Sequence, residues 1–245
     1  MPTLFISDLH LQPQRPHITR AFFHLLRTHA RHADALYILG DFFDVWIGDD
    51  ENTPLQIEVA AQLRELVDSG TPVWLMGGNR DFLIGDAYCQ RAGIQPLPDP
   101  ALVTVYGSPV LLMHGDSLCT DDRGYQRYRR LIRSEFIRWL QHYVSLSTRQ
   151  KIGRLIRGKS AEDNQYKSRQ LLDINTDAAQ QALLASGASV LIHGHTHRPG
   201  CHRLGEGAQP LERIVLGDWD QQGWYLEWSE QGERTLHRFV IDSAP

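Results

Sequence analysis

Short apolar runs, many of them rich in β-branched residues and each closed by a polar cluster, recur along the chain and set the first expectation. Thr3–Ser7, Ala35–Leu39, Pro72–Met76, Leu102–Tyr106, Val110–His114, Ser189–His193, Arg213–Leu216, Trp224–Trp228 and Arg234–Ile241 read as strands. Ile18–His32, Leu55–Ser69, Gly85–Ala92 and Asp177–Ser186 carry the wider period of helices, the last opened by a cap region at Asn175-Thr176-Asp177. Early strands alternate with helices, whereas late strands follow one another in hairpin fashion, with Gly107-Ser108-Pro109 as one turn. This order predicts an α/β fold of two mixed sheets packed together with helices outside. No internal repeat or low-complexity segment interrupts it, and Asp242 to Pro245 read as a short loose tail.

Between Asp121 and Leu172 the pattern changes. Tyr128, Ile132, Phe136, Trp139 and Tyr143 recur at three- and four-residue steps, and Ile152, Leu155 and Ile156 follow as a second stripe. The same stretch holds 13 Lys and Arg against 5 Asp and Glu, whereas the remainder holds 12 against 24. The expectation is a core formed by residues 1–120 and 173–245, with an inserted helical, basic, amphipathic lid at 121–172. Its apolar stripe reads either as a face packed on the protein's own core or as a surface for an apolar ligand.

The 245 residues, 42% of them hydrophobic, suit one substantial core and exclude a disordered or fibrous chain. Cys89, Cys119 and Cys201 are far apart and form no Cys-x-x-Cys pair, which argues against a disulfide framework or a zinc-thiolate site and for a reducing cytosol. The first residues lack a basic n-region, and no apolar run approaches the roughly 20 residues of a spanning helix. A soluble chain is expected.

Candidate chemistry gathers in five segments, each behind a predicted strand: Asp8-Leu9-His10, Gly40-Asp41-Phe42-Phe43-Asp44, Gly78-Asn79-Arg80-Asp81, His114-Gly115-Asp116 and Gly194-His195-Thr196-His197. Loops at strand ends of an α/β sheet converge on a site. Asp8 and His10 sit two apart, as do His195 and His197, so on an extended strand end each pair points to one side. Asp41 has two oxygens and can bridge two metals, while Asn79 offers a carbonyl oxygen and His114 an imidazole. Singly, each segment reads as an ordinary turn; as an ordered set they read as one dinuclear centre. Oxygen and imidazole ligands without thiolate suit Mn, Fe or Zn better than Ca or Cu(I).

The ordered set Asp8-x-His10, Gly40-Asp41-x-x-Asp44, Gly78-Asn79, His114 and Gly194-His195-x-His197 resembles the calcineurin-like metallophosphoesterase superfamily over nearly the whole chain. The resemblance implies a four-layer α/β/β/α sandwich. It also implies one metal on Asp8, His10, Asp41 and His197 and another on Asp41, Asn79, His114 and His195, with Asp44 as a supporting residue. Many members carry histidine after the Gly-Asn pair, where it protonates a leaving alkoxide. This chain carries Arg80, a permanently charged group that can hold a phosphate oxygen but cannot act as a general acid. The leaving group is therefore expected to need no proton, as in a pyrophosphate. Asp81 is expected either to orient Arg80 or to close the turn.

Within the superfamily the chain resembles the branch that hydrolyses a UDP-linked diacylated glucosamine in lipid A biosynthesis. Phe5-Ile6-Ser7-Asp8-Leu9-His10, Gly40-Asp41-Phe42-Phe43-Asp44-Val45-Trp46, Gly77 to Phe82 and Leu216-Gly217-Asp218-Trp219 carry this narrower likeness. That branch implies attack on the α-phosphorus and manganese as cofactor; a monomer, peripherally associated with the cytoplasmic face of the inner membrane and without a nucleic-acid partner, is the accompanying expectation. It further implies catalytic roles for Asp41, Asn79, Arg80, His114 and His195. Asn79 and Arg80 would lie at the phosphate, and Asp122, Ser160, Asn164, Lys167 and His195 around the sugar phosphate. The lid would hold acyl chains, and arginines on its outer faces, among Arg129, Arg130, Arg133, Arg138, Arg149, Arg154 and Arg157, would attract anionic headgroups. The rival expectation is a nuclease or general nucleotide phosphodiesterase on the same scaffold, its basic insert following a nucleic-acid backbone.

Overall fold

The computed structural model of the protein describes residues 1–140, 143–153, 173–205 and 210–242. Its elements run β1 (Thr3–Ile6), α1 (Pro16–Thr28), β2 (Ala35–Leu39), α2 (Pro54–Asp68), β3 (Val73–Met76), α3 (Asp86–Ala92), β4 (Gln95–Leu97), β5 (Ala101–Val105) and β6 (Ser108–Met113). They continue with α4 (Arg123–Ile132), α5 (Glu135–Leu140), α6 (Thr176–Ser186), β7 (Val190–His193), β8 (Gly200–Leu204), β9 (Leu211–Val215), β10 (Gln222–Trp228) and β11 (Arg234–Val240).

Strand alternation dictates the layers. Leu4 and Ile6 of β1, Leu36 and Ile38 of β2, and Val73 and Leu75 of β3 face one side, where Phe22, Leu25 and Leu26 of α1, Val59 and Leu63 of α2 and Tyr88 of α3 cover them. The intervening Phe5, Tyr37, Leu39 and Met76 face the other side and meet Val110, Leu112, Val190, Ile192 and Ile214 of a second sheet. That sheet's outer residues Leu111, Met113 and Leu191 are covered by Ala179 and Leu183 of α6. Strands apolar on both faces need cover on both, and the four-layer α/β/β/α sandwich supplies it.

The first sheet has the order β11-β10-β1-β2-β3-β4 and the second β5-β6-β7-β9-β8. Both are mixed: β1 to β4 run parallel and β10 pairs antiparallel with both β1 and β11, while β6, β7 and β9 run parallel between antiparallel edges. Local signals set the helix starts. Thr53 accepts from Gln56 N at 3.2 Å while the Gln56 side chain accepts from Thr53 N at 3.0 Å, with Pro54 in the first turn of α2. Asn175 caps α6 by accepting from Ala178 N at 3.0 Å.

Three expectations need correction. The hairpin turn is Tyr106-Gly107, both at positive φ (46° and 79°), and Ser108 and Pro109 already pair with Val105 and Thr104. Two left-handed central residues match the right-handed twist of the flanking strands. Two edge strands carry little signal: β4 contains Pro96, and β8 is exposed along most of its length, so pairing rather than patterning forms them. Finally, three arginines expected on outer faces of the insertion are tied to the core. Arg129 and Arg133 pair with the buried carboxylates of Asp99 and Asp116, and Arg149 with Asp50 and the Ile47 carbonyl. The Arg138 side chain, Arg154 and Arg157 lie outside the described residues.

The chain around 118–121 and the chain at 175 lie side by side, where Asn175 N donates to Leu118 O at 2.9 Å and Asn175 Nδ2 to Asp121 Oδ1 at 3.1 Å. Residues 146–153 are helical up to the edge of the described segment. The stripe residues Phe136, Trp139 and Tyr143 stand 62%, 54% and 70% exposed, so that face does not pack on the protein's own core. No helix among the described residues is long and apolar enough to cross a membrane.

Candidate metal centre

The carboxyl ends of β1, β2, β3, β6 and β7 open at one edge of the sandwich, and the loops that follow them converge there. Asp8 N donates to Gly40 O at 3.0 Å, His10 N to Asp41 O at 2.9 Å and Leu11 N to Phe42 O at 2.9 Å, so the first two loops zip together beyond their strands. Apolar residues between the polar ones are the anchors. Leu9, Leu11, Phe42 and Phe43 are buried, and Phe42 meets Phe22 and Phe43 edge-on at 5.2 and 4.8 Å.

The backbone at this edge is strained. Among the described residues, six other than glycine have positive φ, and five of them are Asp8 (55°), His10 (48°), Asp41 (49°), His195 (69°) and His197 (54°). Each left-handed non-glycine residue costs about 1–2 kcal/mol. Such strain persists where the surroundings over-determine it, as at ligand clamps. It also corrects the expected geometry: Asp8 and His10 are beyond the end of β1, and left-handed turns rather than strand alternation aim them. Close approach accounts for two glycines. A Cβ on Gly40 would overlap the His114 ring and the Gly78 backbone, and one on Gly194 would overlap Asp8 and Ser7.

The side chains meet in two groups. Asp8, His10 and His197 can offer ligand atoms within 4.8 Å of one another, as can Asp8, Asp41 and His114. The two Asp41 oxygens face different histidines, Oδ2 lying 3.9 Å from His10 Nδ1 and Oδ1 3.6 Å from His114 Nε2. His114 Nδ1 lies 2.9 Å from Leu39 O; a carbonyl only accepts, so Nδ1 carries the proton and Nε2 faces Asn79 Oδ1 at 3.0 Å. His195 stands edge-on to His114 with ring centroids 5.1 Å apart. His197 Nε2 lies 3.4 Å from His10 Nε2 and 3.5 Å from Asp8 Oδ1, while its Nδ1 lies 3.4 Å from Asp218 Oδ2.

These contacts fit divalent cations. Nε2 of neutral His114 and Oδ1 of Asn79 are both acceptors, so a proton or a cation must lie between them. Asp8 Oδ1 and His10 Nδ1 are buried without a hydrogen-bond partner. Burial, with the Asp8 and Asp81 carboxylates nearby, pushes Asp41 up to about 7 in spite of His114 and Arg80. Burial lowers His10 and His195 to about 3, which leaves their lone pairs available. His114 runs the other way: burial disfavours its charge, but Asp41, Asp116 and Asp8 outweigh that and hold it at about 9. Burial pushes Asp8 up, but His197, together with His114 and His10, outweighs it and holds the carboxyl low.

Asp81 closes the turn and does not orient Arg80. Fully buried, it accepts from Gly78 N at 2.7 Å, Phe42 N at 2.7 Å, Phe43 N at 3.2 Å and Asp41 N at 3.3 Å, which binds the second loop to the third. Asp44 orients Arg80, accepting from Nη1 at 2.8 Å, while Arg80 Nε lies 3.6 Å from Asp41 Oδ2. Asp122 caps α4 by accepting from Tyr125 N at 2.9 Å. Ser160, Asn164 and Lys167 lie outside the described residues. Sequence reasoning missed Asp99, Tyr125 and the inward role of Arg129 and Arg133. The spacing of Tyr125, Arg129 and Arg133 at four-residue steps was the available signal.

The family match and the similar curated proteins agree with this chemistry. The model of calcineurin-like phosphoesterases matches residues 1–199. A UDP-2,3-diacylglucosamine hydrolase of Pseudomonas fluorescens is 53% identical over 229 residues, covering 94% of this chain and 92% of that one. Its counterpart in Pseudomonas entomophila is 53% identical over 229 residues, covering 94% and 95%. Among solved structures, an archaeal phosphodiesterase aligns with a TM-score of 0.49 at 12% identity, covering 98% of this chain and 100% of that one. The family match runs past His197, the last residue of the cluster, and the relatives share more than half of the aligned residues over nearly the whole length: the chain belongs to the calcineurin-like phosphoesterase family.

Proposed function

We propose that the protein is a metal-dependent pyrophosphatase that hydrolyses a UDP-linked 2,3-diacylated glucosamine to UMP and the diacylated sugar 1-phosphate. The substrate class rests on the relatives named above, and the observation that carries the reaction type is Arg80. Its guanidinium is held by Asp44 at the edge of the metal cluster, 3.6 Å from Asp41, where it can bind and neutralise phosphoryl oxygens but cannot deliver a proton. A sugar phosphate leaves as a stable anion and needs none.

Asp8, His10, Asp41 and His197 would hold one divalent ion, and Asp41, Asn79, His114 and His195 the other; the oxygen and imidazole donors suit Mn, Fe or Zn, and manganese is the ion proposed from the family resemblance. When bound, such a pair activates water and neutralises charge on the phosphoryl oxygens. Asn79 and Arg80 bind the phosphate, and His114 is fixed in one tautomer by Leu39 O. Asp122, Ser160, Asn164, Lys167 and His195 are the proposed sugar-phosphate contacts.

A cavity of about 1140 Å³ beside Gly77, lined by the apolar Leu75, Phe82, Leu83, Ile84 and Leu97 and by the charged Asp49, Asp86, Asp99 and Arg133, has room for a substrate with both acyl and polar parts. The exposed Phe136, Trp139 and Tyr143 support peripheral contact with a membrane surface. The inward pairing of Arg129, Arg133 and Arg149 weighs against a nucleic-acid groove, because those charges are already neutralised. The test is UMP release from the lipid substrate by manganese-loaded protein. Arg80→Met should lower kcat by about 10²–10³-fold, as removal of a donor to a developing oxyanion does. Release no faster than that of Asp8→Ala, or faster turnover of single-stranded nucleic acid, would overturn the proposal.

A further inference from the structure

The first helix of the insertion reaches deeper into the site than a lid need do. Tyr125, Arg129 and Arg133 lie on one face of α4 and its C-terminal cap, and all three converge on Asp116, whose side chain is fully buried. Arg129 Nε lies 2.8 Å from Asp116 Oδ2 and its Nη2 2.9 Å from Asp99 Oδ2. Tyr125 OH donates to Asp116 Oδ2 at 2.9 Å, and Gln126 Nε2 to the Asp116 and Cys119 carbonyls at 2.8 and 3.0 Å. Two buried carboxylates are thus matched by two guanidiniums, which is the condition under which such charges are tolerated.

The same residues also touch the metal-centre loops. Arg133 Nη2 donates to Gly78 O at 2.9 Å, with Gly77 O at 3.4 Å, while its guanidinium lies 5.7 Å from the centroid of Phe82. Gly78 O belongs to the peptide whose nitrogen is that of Asn79, so this bond sets the plane from which the Asn79 side chain projects. Tyr125 stacks on His195 with centroids 6.3 Å apart and planes inclined by 26°. Asp116 follows His114 by two residues and ties α4 to that loop as well. By contrast, Asp8, His10 and His197 have no contact of this kind from α4; Asp218 stands behind His197.

We infer that α4 is a fixed support of one half of the metal centre, with Arg133 and Tyr125 as positioning residues for Asn79 and His195 through a buried ion cluster with Asp99, Asp116 and Arg129. This rests on the dinuclear reading above. Partners behind metal ligands typically affect affinity by about 10–100-fold. The effect here is selective: the half containing Asn79, His114 and His195 weakens, and the half containing Asp8, His10 and His197 does not.

Titration of the metal-free full chain with Mn2+, followed by calorimetry and electron paramagnetic resonance, separates the two. Wild type should show two sites. Arg133→Met should weaken one by about 10–100-fold and leave the other unchanged, with partial recovery in Arg133→Lys. Tyr125→Leu, which keeps both guanidiniums, should weaken the same site, so the result does not depend on one variant folding well. Two sites of wild-type affinity in both variants, or equal weakening of both sites, would overturn the inference while leaving the dinuclear reading intact. Failure of wild-type protein to bind Mn2+ would overturn the dinuclear reading itself.

Discussion

The strand-end loops and the inserted segment solve opposite problems. The loops bury carboxylates and imidazoles at a strained edge and satisfy them with backbone donors, aromatic anchors and one another. The insertion leaves aromatic residues in solvent, at Phe136, Trp139 and Tyr143, while turning some of its own charges inward. Hydrophobicity alone would have placed these groups the other way round. Polar groups are buried where a cation or guanidinium can compensate them, and an exposed cluster of apolar side chains is the mark of a surface that something else covers.

The strongest way to break the loop side of this contrast is Asp81→Ala. It removes the acceptor of four backbone N–H groups that join the second and third loops. A buried donor left unsatisfied costs about 1–3 kcal/mol, so a loss of at least about 3 kcal/mol is expected in denaturant unfolding of the metal-free protein. A loss under about 1 kcal/mol would mean that the loops hold themselves.

Much of the first region was legible in the sequence because strand ends and ligand types share one linear pattern. Apolar runs marked β1, β2, β3, β6 and β7, and the polar cluster behind each is where the structure converges. Left-handed geometry at Asp8, His10, Asp41, His195 and His197 was only weakly legible: Asp and His tolerate positive φ better than most residues, but that tolerance does not say which of the chain's many Asp and His adopt it. Nor was the choice made by Asp81, since a carboxylate beside an arginine fits an ion pair as well as a turn. In the insertion the stripe was legible and its direction was not. Arg129 and Arg133 resemble surface charge until Asp99 and Asp116, distant in sequence, are seen buried opposite them. The edge strands β4 and β8 escaped for a related reason, since partners far along the chain hold them.

An intermediate effect should appear in the linkage between metal and protons. His114 is held at about 9, above its ordinary value, by Asp41, Asp116 and Asp8 against the effect of burial, and His197 is also raised. A raised histidine stabilises the fold fully below the unfolded value near 6.5 and loses that contribution as pH rises through about 9. The metal-free protein should therefore lose thermal stability from pH 6.5 to 9. Metal uptake needs the His114 nitrogen without its proton, so binding strengthens over the same window and releases protons near pH 8. Calorimetry in buffers of different ionisation enthalpy reads that release directly. A gap between loaded and metal-free Tm that stays constant from pH 6.5 to 9 would contradict the electrostatic account of the site.

The smallest effect tests the insertion side. Trp139 is 54% exposed and lies tilted between Phe136 and Tyr143, with ring centroids 6.1 and 4.7 Å away. Were it part of the core, Trp139→Ala would cost about 3–5 kcal/mol; as an exposed residue it should change stability by no more than about 0.5 kcal/mol. Its removal should nonetheless weaken flotation with anionic vesicles by roughly tenfold, because an indole buried at an interface contributes on the order of 1–2 kcal/mol. The two measurements discriminate only together. Destabilisation without loss of flotation would mean that the stripe packs on its own chain, and neither effect would leave those aromatic rings without a role at a membrane. Loss of flotation at constant stability is the result that separates a surface built for lipid from a core that happens to be exposed.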